Sequence, residues 1–211
     1  MSKIRGNTDV EYQLAVSQGN VRRIKTLIKN KVNPPERLML YALLQKHPEL
    51  LPALKEAGAN SNDVDGFHNT ALGHAIHSYP LDVVKTLLEF GANPNLEHTH
   101  LLPLVHIAYD DQIEYVRALL DAGANPNHPQ WNGVIPLHAA VKNGQYETVK
   151  LMLQSGADPK IKGPDKRDSI QLAALNKRKD LVELLKASVK AGKKTSKSKS
   201  ALSTRKSNSK T

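Results

Sequence analysis

Nine histidines between His47 and His138 are the first residues in this 211-residue chain whose type and density invite a chemical reading. His74 and His77 stand at helical spacing, and His98 and His100 flank a candidate finger tip. A zinc site needs three or four convergent ligands fixed by a second layer of hydrogen bonds. No HExxH or equivalent spacing occurs, so the histidines read as structural or surface groups and no metal is expected. Asp110-Asp111 is a carboxylate pair, but adjacent residues on a helix point about 100° apart, which is poor geometry for sharing a proton. Ser17, Ser78 and Ser155 fall at turns or on helices without a GxSxG elbow. There is no Walker A motif or dinucleotide glycine loop, and the recurring Gly-Ala pairs end helices, so they offer no N-terminal amides to phosphate. The absence of cysteine excludes a thiol nucleophile, a Cys-ligated zinc, an iron–sulfur cluster and a disulfide scaffold. The expectation is a protein with no catalytic residues and no cofactor.

The elements that position these residues come from a repeat. Gly58-Ala59-Asn60-Ser61-Asn62 returns at Gly91, at Gly123 and, as Gly-Ala-Asp-Pro-Lys, at Gly156, with spacings of 33, 32 and 33. Upstream of each lies a small residue in a helical pattern, Ala42, Ala75, Ala108 and Ala140, and the same frame extends outward to Ala15 and Ala173. Nine residues after the alanine stands an apolar residue, Ile24, Leu51, Val84, Val149 and Val182, with Val116 eight after in the fourth unit. Apolar pairs follow at helical spacing: Leu27-Ile28, Leu87-Leu88, Leu119-Leu120 and Met152-Leu153 at i+3 and i+4, and Leu184-Leu185 two and three residues after Val182. Such spacing marks a helix with one buried face. Each unit therefore reads as a short helix, a tight turn and a second helix ended by a left-handed glycine, then a turn-rich finger. The interval from Ala15 to Ala42 is 27, so Pro34-Pro35 stands where one finger is missing.

Ile135-Pro136-Leu137-His138-Ala139-Ala140 resembles the Thr-Pro-Leu-His-x-Ala signature of ankyrin repeats. Thr70-Ala71-Leu72 and Val105-His106-Ile107-Ala108 match it in the neighbouring units, while the first, second and sixth units are degenerate. The resemblance covers roughly residues 8 to 186. It implies an all-α repeat solenoid of about six units (approximately 8–34, 35–62, 66–95, 99–127, 131–160 and 164–186), with degenerate end caps. It also implies a partner protein bound along a concave groove of finger tips and first-helix faces. Counting from the unit alanine selects Phe67, Asn69, His77 and Ser78 in the third unit. The fourth gives Thr99, His100, Leu102, Asp110 and Asp111. The fifth gives Trp131, Asn132, Val134, Lys142 and Asn143, and the sixth Arg167 beside Pro164 and Asp165. Trp131 is the single Trp, and its polar surroundings offer no core face to bury it, which fits an interface anchor. Asn62, Asn95 and Asn127, each eight residues after a leucine, resemble the asparagines hydroxylated in some ankyrin repeats, although the ordinary repeat generates the same gap.

Net charge separates the body from the tail. Lys186 to Thr211 holds 9 Lys+Arg and no acid; the other 185 residues hold 21 basic and 20 acidic side chains, a net of +1 against +10 for the whole chain. The segment 187–211, rich in Lys and Ser, is expected to be disordered. Lys193, Lys194, Lys197, Lys199, Arg205 and Lys206 make it a candidate nuclear address, nucleic-acid or acidic-membrane contact, phosphorylation region or secretion segment, with a plain solubilising tail the alternative. No secretory signal or membrane span is evident, and residues 1–7 read as a short lead. The expectation is an intracellular monomer, in cytoplasm, nucleus or a host cell, serving as an adaptor or host-directed effector. The rival is a nucleic-acid-associated regulator that uses the tail.

Overall fold

A computed structural model describes residues 2–98, 102–108, 110 and 112–191, with side chains from Thr8 onward. It is all-helical among the described residues, and the helices come in six pairs. These are α1 (Ser2–Ser17) with α2 (Val21–Lys29), α3 (Leu38–Leu44) with α4 (Leu51–Glu56), and α5 (Ala71–Ser78) with α6 (Leu81–Glu89). They continue as α7 (Pro103–Ile107) with α8 (Ile113–Asp121), α9 (Pro136–Lys142) with α10 (Tyr146–Gln154), and α11 (Ser169–Leu175) with α12 over residues 179–191. The chain divides into two compact units. The first comprises residues 1–107 and 112–125, and the second 108–111 and 126 onward.

Helices this short are marginal in water, so burial has to hold them. The six unit alanines are the positions where that burial is complete: Ala15, Ala42, Ala75, Ala108, Ala140 and Ala173 are all exposed by 1% or less. In the second helices Ile24, Leu51, Val84, Val116 and Val149 are sealed, and Leu27, Leu54, Leu87, Leu119 and Met152 complete the same seam. Only the first member of each apolar pair is fully inside; Ile28, Leu88, Leu120 and Leu153 are half-buried. The last helix departs from the expected register. It buries Leu181 and Leu185 and leaves Val182 and Leu184 half-buried. Leu181 and Leu185 are four apart, so they form a seam on one helix face by themselves.

The ends of the second helices explain the glycines. At Gly123 φ is +88°, its N–H donates to the Leu120 carbonyl at 3.0 Å, and the Ala124 N–H reaches back to Leu119 at 2.8 Å. That bond pair is a Schellman cap, which needs the left-handed conformation that glycine adopts without a Cβ penalty. Gly58, Gly91 and Gly156 repeat it, and the alanine after each is buried.

Two helices run past the expected bounds. α1 begins at Ser2. α12 runs to 191, five residues past the expected end of the repeat at 186, so the stretch 187–191 is ordered as helix. The tail cations from Lys193 to Lys206 lie outside the described residues. Pro48 opens a 3-10 turn (Pro48–Leu50) before α4, and Pro80 stands at the N-cap of α6.

Candidate partner-binding surface

In the first unit the finger preceding α5 is built around one carboxylate. Asp65 accepts from the N–H groups of Phe67 and Asn69 and from Asn69 Nδ2, each at 2.8 Å. Burial pulls its pKa up, but these hydrogen bonds outweigh burial and hold it below the usual carboxylate range. The turn closes with His68 in the left-handed region, at φ +61°, and presents Phe67 outward at 79% exposure. Thr70 then caps α5, its hydroxyl accepting from Gly73 N–H at 3.0 Å. At the other end of α5, His77 and Ser78 are exposed. The expected residues Phe67, His77 and Ser78 are therefore all at the surface, with Asn69 half-buried and occupied by Asp65.

Three imidazoles meet behind that face. The His77 ring lies 3.8 Å from His106 and 5.5 Å from His98, centroid to centroid, and His77 Nδ1 is 2.9 Å from the Gly73 carbonyl. His98 is buried with Nδ1 accepting from Thr70 N–H at 3.1 Å, so its neutral form carries the proton on Nε2. Burial first, then the neighbouring charges of His77 and His74, push its pKa down to about 4. No group of three His, Cys, Asp or Glu among the described residues is arranged to hold a metal. His77 packs its ring against those of His98 and His106.

His98 fills a space that belongs to the helix. A Cβ placed on Gly73 would overlap the His98 side chain, about its Cβ and Cγ. Gly73 occupies the position that His138 takes in the fifth unit, and His98 follows it by 25 residues, as Gly163 follows His138. In the second unit the arrangement is reversed: a Cβ on Gly163 would collide with the ring of His138. His138 donates to the Ile161 carbonyl, and its Nε2 is buried without a partner among the described residues. Burial lowers its pKa against the opposing effect of that bond.

The second unit presents two fingers. Gln130 N–H donates to Val134 at 3.0 Å, and Asn132 Oδ1 accepts from Gln130 Nε2 at 2.8 Å and from Val134 N–H at 3.0 Å. This turn holds Trp131 out at 69% exposure. Asn132 is exposed and Val134 half-buried. In the next finger Arg167 pairs with Asp165 at 3.1 Å, and its N–H donates to the same carboxylate at 3.1 Å. A Cβ on Gly133 would lie 3.5 Å from Pro164, so the two tips are neighbours. At the far end of α9, Lys142 and Asn143 are exposed, and Asn176 Nδ2 donates to the Lys142 carbonyl at 3.4 Å.

Of the remaining expected residues, Asp110 is exposed, while Thr99, His100 and Asp111 lie outside the described residues. Leu102 is corrected. It is only 3% exposed, so it belongs to the core and not to a binding face. Spacing put it on a finger but did not say which way it turns, and burying a leucine is worth about 1.5–3 kcal/mol.

The three asparagines form a ladder. Asn62 Nδ2 donates to the Gly91 carbonyl at 2.9 Å, and its Oδ1 accepts from Asn93 N–H at 2.6 Å. Asn95 does the same with Gly123 at 3.0 Å and Asn125 at 2.8 Å, and Asn127 with Gly156 at 2.9 Å and Asp158 at 2.7 Å. Each amide thus ties the end of one second helix to the next repeat, a role for which spacing alone gave no sign.

Other surface residues were legible but passed over. Two residues after the unit alanine stand His77, Asp110 and Lys142, and the same count names Leu44, 53% exposed, and Leu175, 60% exposed. Leu44 and Tyr41 also line a cleft of about 950 Å³ in the first unit, walled by Gln13 and by Val32 to Arg37, where Pro34-Pro35 replaces a finger.

The chain matches the family model "Ankyrin repeats (3 copies)" over residues 12–98 and 97–163. It is 32% identical over 139 residues, 65% of its length, to a putative E3 ubiquitin-protein ligase, XBAT34, of Arabidopsis thaliana. The matched region spans 29% of that protein's length. An ankyrin repeat domain from Acinetobacter baumannii superposes with a TM-score of 0.72 at 23% identity, over 84% of this chain and 96% of that one, a likeness of fold.

Proposed function

The chain belongs to the ankyrin repeat family, and from that premise we propose that it binds a partner protein through the finger tips and first-helix ends of its units. Ankyrin repeats are generally protein-interaction modules. The observation that carries the reading is the pair Phe67 and Trp131. Two rings are held outward by turns whose hydrogen bonds are fully spent on presenting them, while Tyr12 is sealed in the core. Aromatic side chains fixed in place supply contact area at small entropic cost, which is why they anchor interfaces. On this reading the protein is an adaptor or effector.

Photo-crosslinking tests this. A crosslinking residue placed at 67 or 131 should trap a discrete partner, whereas the same residue on α6 at 85 or α10 at 150 should not. Trapping of equal yield at all four positions would remove the proposed face.

A further inference from the structure

The two units differ in charge. The first carries 12 Lys+Arg and 12 Asp+Glu; the second, over residues 108–111 and 126–191, carries 11 against 8 with Asp110 and Asp111 included, a net of +3 before the tail is counted. The acids there are mostly engaged. Glu147 pairs with Lys150, Asp165 with Arg167 and Asp180 with Arg178. Asp158 accepts from Lys160 N–H at 2.9 Å, and Asp168 caps α11 in a capping box with Gln171. Lys142, Lys166 and Lys177 take part in no ion pair among the described residues, and all three are exposed.

Those cations share a face with apolar contacts. Lys142 and Leu175 are the same position in consecutive repeats, on α9 and α11, which pack together. Lys177 follows two residues on, in the left-handed turn at φ +57°. Trp131 and Lys166 sit on the neighbouring finger tips at the other end of the repeat. α9 is seven residues long, about 10 Å, and an extended segment rises about 3.3 Å per residue. A handful of residues therefore runs from Trp131 to Lys142.

We propose that this face of the second unit docks an acidic segment of the partner protein carrying an apolar anchor. Carboxylates meet Lys142, Lys166 and Lys177, and the anchor packs on Trp131 or Leu175. This rests on the protein-binding reading above and specifies its partner. Charge complementarity selects the sign, and the exposed Trp and Leu select a peptide over a phosphate backbone. Both arginines of the face, the side chains suited to bidentate phosphate contact, are already held by Asp165 and Asp180.

The test is selection of a displayed library of random 12-residue peptides on the full chain. Peptides with several Asp or Glu around an apolar residue should be enriched. Their affinity should fall roughly tenfold in Lys142→Glu/Lys177→Glu and again in Trp131→Ala, each with an unchanged melting temperature. Both variants leave the tail intact. Acidic enrichment that survives the double reversal therefore belongs to the tail and overturns the proposal. Enrichment of neutral peptides that is lost in Phe67→Ala overturns it while leaving the protein-binding reading standing. A selection no richer than one on an unrelated protein removes both. Binding of a 12-nucleotide single strand that exceeds peptide binding and is lost in the double reversal also overturns it, in favour of nucleic acid.

Discussion

In the first unit a glycine on α5 makes room for an imidazole from the finger at residue 98; in the second, an imidazole on α9 fills room left by a glycine at residue 163. The two pairs stand at equivalent positions, so the repeat conserves a volume and not a residue. The hydrogen bonds are reversed as well: His98 accepts from Thr70, while His138 donates to Ile161. Burial lowers the pKa of both rings, but at His138 the bond to Ile161 opposes that shift.

Doubling the ring at either place should have the largest effect. Gly73→His or Gly163→His puts two imidazoles in one space and should cost more than about 3 kcal/mol, read by urea melts. A smaller loss would mean the fingers can swing aside.

Acid should act next, and unequally. His98 titrates lower folded than unfolded, so its contribution is complete above about pH 6.5 and is lost as pH falls toward about 4. Protonating Nδ1 also replaces the acceptor that Thr70 needs, with His74, His77, His106 and Asp65 as the charges around it. Lowering pH from 7 to 4.5 should remove about 1–3 kcal/mol, and His98→Gln should flatten that slope more than His138→Gln does. Equal slopes would show that the reversed bond is immaterial.

The asparagine ladder runs through both units and should cost the same in each. Asn95→Ala and Asn127→Ala each remove one donor and one acceptor from backbone partners, at about 1–2 kcal/mol by denaturant melts. A difference above about 1 kcal/mol would separate the units where the ladder joins their repeats alike. Smallest of all, Phe67→Ala and Trp131→Ala should change stability by less than about 0.5 kcal/mol, because both rings face outward.

Much of this was readable beforehand. The alanine spacing located the buried small residue of every repeat, and the glycines located the caps at Gly58, Gly91, Gly123 and Gly156, while Lys31, Lys46 and Lys177 form the same left-handed cap with no glycine to mark it. Orientation was less legible. Leu102 and Val134 share a finger position, yet one turns inward to the core and the other stays half-buried. Leu181 and Val182 are adjacent apolar residues; counting nine from Ala173 selects Val182, whereas the i+3 and i+4 spacing to Leu184 and Leu185 fits Leu181, which is the one buried. The partnership of Gly73 with His98 spans 25 residues and two elements, so it emerges only when their volumes are compared in space.

The most direct test of a single register running through both units is the exchange itself. Gly73→His, His98→Gly and the double variant form a cycle read by urea melts. The register predicts that the double variant, which recreates the fifth-unit arrangement in the third, recovers at least about 2 kcal/mol relative to the sum of the single losses. Losses that simply add would contradict it, because positions 73 and 98 would then not be the counterparts of 138 and 163.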